Sequence, residues 1–337
     1  VKVEKEAPGL SGQNSRERRA PDPPAIFLMG PTATGKTRVA VALVRNLPVE
    51  IVSVDSSLVY RHMNIGTAKP DAETLKAAPH HLIDLVEPDE AYSAGRFRDD
   101  ALAVMREITE RGRIPLLVGG TMLYFKALRE GLAELPKADP ALRLVIDGMA
   151  AEQGWPALHQ ILARVDPETA ARLSPNDAQR IQRALEVYFL TDRPLSALLK
   201  KPKYVYFPYR AIPLALVPGD RERLAQRIAQ RFEDMLELGL IGEVRWLRRH
   251  YALDLSMPSM RCVGYRQVWK YLEGEYSLDV MRERAVAATR QLAKRQLTWL
   301  RTMKDVTEFD CFAEGIAEEV LAYLKAVIDA PGEQGHR

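Results

Sequence analysis

Ala25-Ile26-Phe27-Leu28-Met29 runs directly into Gly30-Pro31-Thr32-Ala33-Thr34-Gly35-Lys36-Thr37. The first five residues form a short apolar run that ends in glycine, and they read as a buried strand. The next eight match G-x-x-x-x-G-K-[ST], the phosphate-binding loop. A helix is expected over 37–47, where Val39, Leu43 and Leu47 recur at helical spacing. This strand-loop-helix context gives the motif its meaning. The glycines let the backbone curl until its N–H groups point inward, and the helix N-terminus adds a positive field at the same place. Gly30, Pro31, Thr32, Ala33, Thr34, Gly35, Lys36 and Thr37 are therefore candidates for gripping a diphosphate. Lys36 would supply a point charge, and the Thr37 hydroxyl a ligand to a Mg²⁺ that bridges phosphate oxygens.

Outward from the loop, Glu50-Ile51-Val52-Ser53-Val54-Asp55 reads as a second strand with a carboxylate at its end, and 98–110 as an amphipathic helix. Ile114-Pro115-Leu116-Leu117-Val118 is a third strand that enters Gly119-Gly120-Thr121. Alternating strands and helices predict an α/β fold, a P-loop-type, mostly parallel sheet flanked by helices, with ligands at the carboxyl ends of its strands. From 139 to 203 the alternation gives way to helical patterns such as 178–190, which predicts an inserted α-helical domain. Ala211-Ile212-Pro213-Leu214-Ala215-Leu216-Val217 returns the chain to the sheet, and helices follow to about Val327. The expected organisation is a disordered leader (1–24), a catalytic core (25–138 and 204–327), the insertion (139–203) and a frayed tail (328–337). No internal repeat is visible.

A chain of 337 residues with 47% hydrophobic content can bury a large core. No stretch approaches the roughly 20 apolar residues that cross a bilayer. Residues 1–24 lack the apolar middle of a secretory signal. The two cysteines, Cys262 and Cys311, cannot staple a scaffold and fit a reducing compartment, so a cytoplasmic, membrane-free protein is expected. Net charge is only +3, but arginines concentrate over 221–249 and 282–301. Such density suits phosphate recognition and equally suits a solvated helix face.

The usual ligand of this loop is ATP or GTP, with phosphoryl transfer as the chemistry. In those enzymes a later strand ends in an Asp that helps to hold Mg²⁺. Here Leu116-Leu117-Val118 ends in Gly119-Gly120-Thr121, and a threonine brings no charge to a metal. Asp55 is the nearest candidate for a reacting carboxylate, with an N-cap as its alternative role. His80-His81 are adjacent, without ligand-like spacing, and are assigned no function.

The combination then becomes specific. The loop, Ser53-Val54-Asp55-Ser56, Ile65-Gly66-Thr67-Ala68-Lys69-Pro70 and Leu117-Val118-Gly119-Gly120-Thr121-Met122-Leu123-Tyr124 together resemble the bacterial-type tRNA dimethylallyltransferases, also called tRNA isopentenyltransferases. Asn176-Asp177-Ala178-Gln179-Arg180-Ile181-Gln182-Arg183-Ala184-Leu185-Glu186, Arg261-Cys262-Val263-Gly264-Tyr265-Arg266 and Thr289-Arg290-Gln291-Leu292-Ala293-Lys294-Arg295-Gln296 continue the resemblance in order. It implies transfer of a dimethylallyl group from dimethylallyl diphosphate to N6 of the adenosine 3′ of the anticodon, in tRNAs reading codons that begin with U. The phosphates would then be a leaving group, which fits the missing strand-end Asp.

The resemblance implies Asp55, Thr121, Lys36 and Arg231 as catalytic residues, with Arg227 and Arg231 joining the loop on the diphosphate. Either arginine could instead be a surface ion-pair residue. It implies a tRNA path lined by Asp55, Ser56, Ser57 and Leu58, by Gln179, Arg180, Ile181, Gln182 and Arg183, by Arg261, Cys262, Val263, Gly264, Tyr265 and Arg266, and by Lys294, Arg295, Gln296 and Arg301. Tyr265 would be a stacking surface or, alternatively, a core aromatic. Arg290, Lys294 and Arg301 share one helical face, while Leu292, Trp299 and Leu300 lie on another. The insertion would close over the anticodon stem-loop. Mg²⁺ is the expected cofactor, zinc is not expected, and a monomer is. A kinase and a non-catalytic nucleic-acid-binding module are the rival readings.

Overall fold

The computed structural model describes residues 22–200 and 206–328. Of the expected leader only residues 22–24 fall within it, and of the expected tail only residue 328; the remainder of both lies outside the described residues.

Strand β1 (Pro24–Met29) is buried on both faces. Ala25, Phe27 and Met29 point into one core and Ile26 and Leu28 into the other, which is why its sequence is continuously apolar. Helix α1 (Lys36–Asn46), β2 (Val49–Val54), α2 (Ala72–Ala77), β3 (His80–His81), α3 (Ala94–Glu110), β4 (Ile114–Gly119) and α4 (Met122–Glu130) follow. The insertion comprises α5 (Pro140–Gln153), α6 (Trp155–Val165), α7 (Pro167–Arg172), α8 (Ala178–Thr191) and α9 (Leu195–Leu199). Then come β5 (Arg210–Val217), α10 (Arg221–Glu237), α11 (Leu240–His250), α12 (Tyr265–Leu272), α13 (Leu278–Leu300), β6 (Thr307–Asp310) and α14 (Ile316–Val327).

The six strands form one sheet in the order β3-β2-β4-β1-β5-β6, and every pairing is parallel. The expected α/β architecture is thus present. Helices α1 and α14 cover one face, and α3, α4 and α10 to α13 the other. Two edge strands escaped the sequence reading. His80–His81 and Thr307–Asp310 are too short to show a period of two, and the second falls within the stretch read as mainly helical. Helix α3 starts four residues before position 98 because the Ser93 hydroxyl accepts from the Arg96 N–H and caps it there. Among the described residues no helix is long and apolar enough to cross a membrane.

The sheet's central order decides the site. β1 lies between β4 and β5, and β2 lies beyond β4, so the phosphate loop, Asp55 and Gly119-Gly120-Thr121 all emerge at one end of adjacent strands. The β2–β4 approach is so close there that a Cβ at Gly119 would lie 2.0 Å from the Val54 carbonyl oxygen. Only glycine fits, and the Thr121 N–H then donates to that same carbonyl.

The five inserted helices have their own core of Ile146, Leu158, Leu162, Ala170, Ile181, Ala184 and Leu185. Ile181 is fully buried in it, which corrects its assignment to the RNA path. Glu186 is also fully buried, accepting from Arg143, from Arg183 and from the Asp139 backbone N–H. Burial pushes its carboxyl up, but the Arg143 and Arg183 hydrogen bonds outweigh that and hold it below the usual carboxylate range. Removing the carboxylate leaves Arg143 without its acceptor and Arg183 with only the Pro136 carbonyl. Glu186→Ala should therefore cost about 3 kcal/mol, read by denaturant unfolding, with hydrogen exchange accelerated in α5 and α8 and unchanged in the sheet.

Candidate active site

The loop leaves β1 under tight constraint. Gly30 has φ +153, and a Cβ there would lie 2.6 Å from the Leu216 carbonyl oxygen of β5. The buried Thr34 hydroxyl donates to the Pro31 carbonyl at 2.9 Å, and Lys36 Nζ donates to the Gly30 and Pro31 carbonyls at 2.9 and 2.6 Å. These bonds arch the backbone around the lysine. Burial lowers the Lys36 pKa to about 8, against the opposing pull of the Asp55 carboxylate and with a further push from Arg231. Thr37 is the second residue of α1 and is exposed.

Arg231, on α10, donates to the Thr32 hydroxyl at 3.4 Å. Burial lowers its pKa and the Asp55 charge opposes the shift, so Lys36, Arg231 and Asp55 share one electrostatic neighbourhood. Arg227, one turn earlier, donates to the Ala33 carbonyl and lies 4.6 Å from the Phe312 ring centroid. Arg223 stacks on the same ring at 4.6 Å. Both Arg227 and Arg231 thus reach the loop.

Asp55 follows β2 and caps no helix. Its Oδ1 accepts from the Ser57 N–H at 2.8 Å and the Ser57 hydroxyl at 2.6 Å, closing an Asx turn. Among the described residues Oδ2 accepts no hydrogen bond, so one carboxylate oxygen is held while the other is free to act. Thr121 Oγ1 accepts from the Ser56 N–H at 3.0 Å and donates to the Ser56 hydroxyl at 3.3 Å, which ties the β4 turn to the Asp55 turn. Ser56 is exposed, while Ser57 and Leu58 are half-buried. Burial and the nearby Asp55 charge push the Cys262 thiol up to about 12.

The structure distributes the basic blocks unequally. Gln179 and Arg180 are exposed, with Arg180 paired to Asp177 at 2.6 Å. Gln182 is bonded to Asp147, and Arg183 to Glu186 and the Pro136 carbonyl, so both brace the insertion. Arg261 and Arg266 are exposed beside half-buried Cys262 and Val263 and buried Gly264. Tyr265 takes the second of its two expected roles, a core aromatic and not a stacking surface: its ring is fully buried and its hydroxyl donates to Glu243 at 2.5 Å. A Cβ at Gly66 would lie 2.5 Å from that ring, so Tyr265 backs the Asn64-Ile65-Gly66 loop and offers no face to a base.

Lys294 and Arg295 are exposed on α13, as is Arg301 at its C-cap. Arg290, Lys294 and Arg301 rim a recess of about 340 Å³ between α10 and α13, with Arg221 opposite and Leu224, Ile228 and Ala293 as its floor. The buried face of α13 runs through Met281, Ala285, Ala293 and Leu300; Trp299 is 39% exposed and does not belong to it. Gln296 is another surprise. Its Oε1 accepts from the Thr32 N–H and its Nε2 donates to the Gly120 carbonyl, both at 2.9 Å, so it points into the loop.

Glu243 was not singled out from the sequence. It accepts from the backbone N–H groups of Asn64, Ile65 and Gly66 as well as from Tyr265. Nor was Phe312. Neither carries a motif signal; each is defined by contacts across more than eighty residues of chain.

With this geometry in place, two family models match, "IPP transferase" over residues 58–303 and "Isopentenyl transferase" over residues 24–88. A tRNA dimethylallyltransferase of Nitrosospira multiformis is 62% identical over 90% of this chain and 94% of its own. One of Nitrosomonas eutropha is 59% identical over 90% and 96%. Among solved structures, the tRNA isopentenylpyrophosphate transferase of Bacillus halodurans superposes with a TM-score of 0.67 at 35% identity, covering 91% of this chain and 97% of that one. A eukaryotic dimethylallyltransferase acting on tRNA reaches 0.76 at 25% identity, covering 93% and 81%.

Proposed function

The chain belongs to the tRNA dimethylallyltransferase family and is a transferase, and from that premise we propose that it moves a dimethylallyl group from dimethylallyl diphosphate to N6 of the adenosine immediately 3′ of the anticodon, in tRNAs reading codons that begin with U. The product is N6-(dimethylallyl)adenosine. The observation that carries this reading is the gathering of two cations, Lys36 on the phosphate loop and Arg231 reaching Thr32 of that loop from α10, with one carboxylate, Asp55, at the end of β2 on the same edge of the sheet.

An adenine N6 amine is a weak nucleophile because its lone pair is delocalised into the ring. A positioned carboxylate that accepts its proton while the new C–N bond forms lowers that barrier. The free Oδ2 of Asp55 suits this role, with Oδ1 held by Ser57. As the allylic C–O bond breaks, negative charge grows on the departing diphosphate. Lys36, Arg231 and Arg227, which all bond to the loop, together with the loop amides, would stabilise that charge. The Thr121 hydroxyl, tied to Ser56 beside Asp55, would bridge the diphosphate and the reacting centre.

Among the described residues no group of three His, Cys, Asp or Glu side chains is placed to hold a metal. A Mg²⁺ would take the Thr37 hydroxyl as its protein ligand and the rest of its shell from the diphosphate and water. Bound there, it would neutralise charge on the leaving oxygens. On the RNA side, the target base has to leave the anticodon stack to reach Asp55. Exposed Arg180, Arg261, Arg266, Lys294, Arg295 and Arg301 supply cations for the backbone of the anticodon stem-loop.

A kinase is disfavoured because Thr121 occupies the place of the metal-binding strand-end Asp. The test uses purified protein, Mg²⁺ and unmodified tRNA with labelled dimethylallyl diphosphate, or with labelled ATP instead. Label on the tRNA adenosine from the first donor alone is the expected result; label from ATP, or none, would overturn the reading.

A further inference from the structure

We propose that Gln296 is a positioning residue that couples RNA engagement along α13 to the grip of the phosphate loop on the diphosphate, an inference that rests on the function proposed above. One side-chain amide spans two otherwise separate turns. Its oxygen takes the Thr32 N–H inside the loop, and its nitrogen reaches the Gly120 carbonyl, immediately before Thr121. Both bonds are 2.9 Å, so a single planar group fixes the loop and the β4 turn relative to each other and to α13.

The bridge has a dedicated space. A Cβ at Gly120 would lie 2.4 Å from Gln296 Nε2 and 3.2 Å from the Gly30 carbonyl oxygen, so the glycine leaves room for the amide between the two turns. The other end of the lever faces solvent. Lys294 and Arg295 immediately precede Gln296 and are exposed, and Thr298 and Arg301 continue along the helix. Helix α13 is one continuous element of 23 residues, so a displacement imposed on its charged residues is transmitted to the amide.

Thr32 also accepts from Arg231 through its hydroxyl, and so its backbone N–H and side chain connect α13, the loop and α10. Movement of α13 therefore changes the placement of Thr32, Arg231 and Thr121 together. An amide that merely satisfied two buried polar groups would alter stability, or the affinity of each ligand separately, and would leave the energetic link between them intact. The distinguishing quantity is the ratio of diphosphate affinities with and without RNA, and by linkage the same ratio holds in the reverse direction.

The test uses the full chain, Mg²⁺ with inorganic pyrophosphate, and an unmodified anticodon stem-loop RNA, with affinities from calorimetry. Wild type should bind pyrophosphate about tenfold more tightly when saturated with RNA, within the usual span of coupling factors. Gln296→Met keeps the length and apolar packing but loses both bonds, and the ratio should fall to within about twofold of one. Gly120→Ala displaces the amide by a second route and should have the same effect, which keeps the test valid if either variant folds poorly. An unchanged ratio in both variants, or a ratio of one in wild type with both ligands bound, overturns the inference. Wild type that binds neither pyrophosphate nor RNA overturns the proposed function itself.

Discussion

Asp55→Asn is expected to slow dimethylallyl transfer by about 10²–10⁴ while leaving the affinities for Mg²⁺-pyrophosphate and for the anticodon stem-loop within a few-fold of wild type. Asparagine keeps the Oδ1 that accepts from the Ser57 N–H and hydroxyl, so the Asx turn and its tie to Thr121 survive. What disappears is the basic oxygen without a protein donor, together with the negative charge felt by Lys36 and Arg231. Loss of that charge makes the neighbourhood more positive, so diphosphate binding should strengthen slightly. Single-turnover rates with saturating donor and RNA isolate the chemical step. A normal single-turnover rate would remove Asp55 from the proton transfer, and a collapse of pyrophosphate affinity would make it a structural residue of the loop.

The contrast between Asp55 and Gln296 shows what kind of information a sequence holds. Asp55 was legible because it terminates an apolar strand of the same parallel sheet as the phosphate loop, two positions away across β4, and parallel sheets gather such ends on one edge. The loop itself was legible because its chemistry is contained in eight consecutive residues. Gln296 lies 264 residues from its partner Thr32, and within α13 it looks like one more polar residue in a basic stretch. Tyr265 stayed open between stacking surface and core aromatic for a related reason. It is embedded in a basic block, between Arg261 and Arg266, but the turn at Gly264 directs its ring inward against Gly66 and Glu243. Ile181 shows the same effect in the insertion, where a helix face buries the apolar member of an otherwise polar run. Short edge strands were invisible because pairing, not pattern, defines them.

The phosphate side yields the other large effect. Lys36→Met should lower kcat/KM for the donor by about 10³, since the lysine is held where charge develops as the C–O bond breaks. Its pH dependence supplies a signature that a purely structural lysine would lack. With a pKa of about 8, set mainly by burial, Lys36 is charged below that pH and loses its proton above it. A diphosphate prefers the charged form, so above pH 8 binding has to take up a proton and each further pH unit weakens affinity by up to about tenfold. Pyrophosphate affinity should therefore be flatter below pH 8 and fall between pH 8 and 10. Calorimetry in buffers of different ionisation enthalpy should report proton uptake on binding over that range. Lys36→Arg carries a charge that does not titrate there, so it should bind more weakly at pH 7 through its altered geometry yet lose this part of the pH dependence. The diphosphate's own ionisation contributes equally to both proteins, and the difference between their profiles isolates the lysine. Identical profiles would place the titrating group elsewhere and leave Lys36 to its bonds with the Gly30 and Pro31 carbonyls.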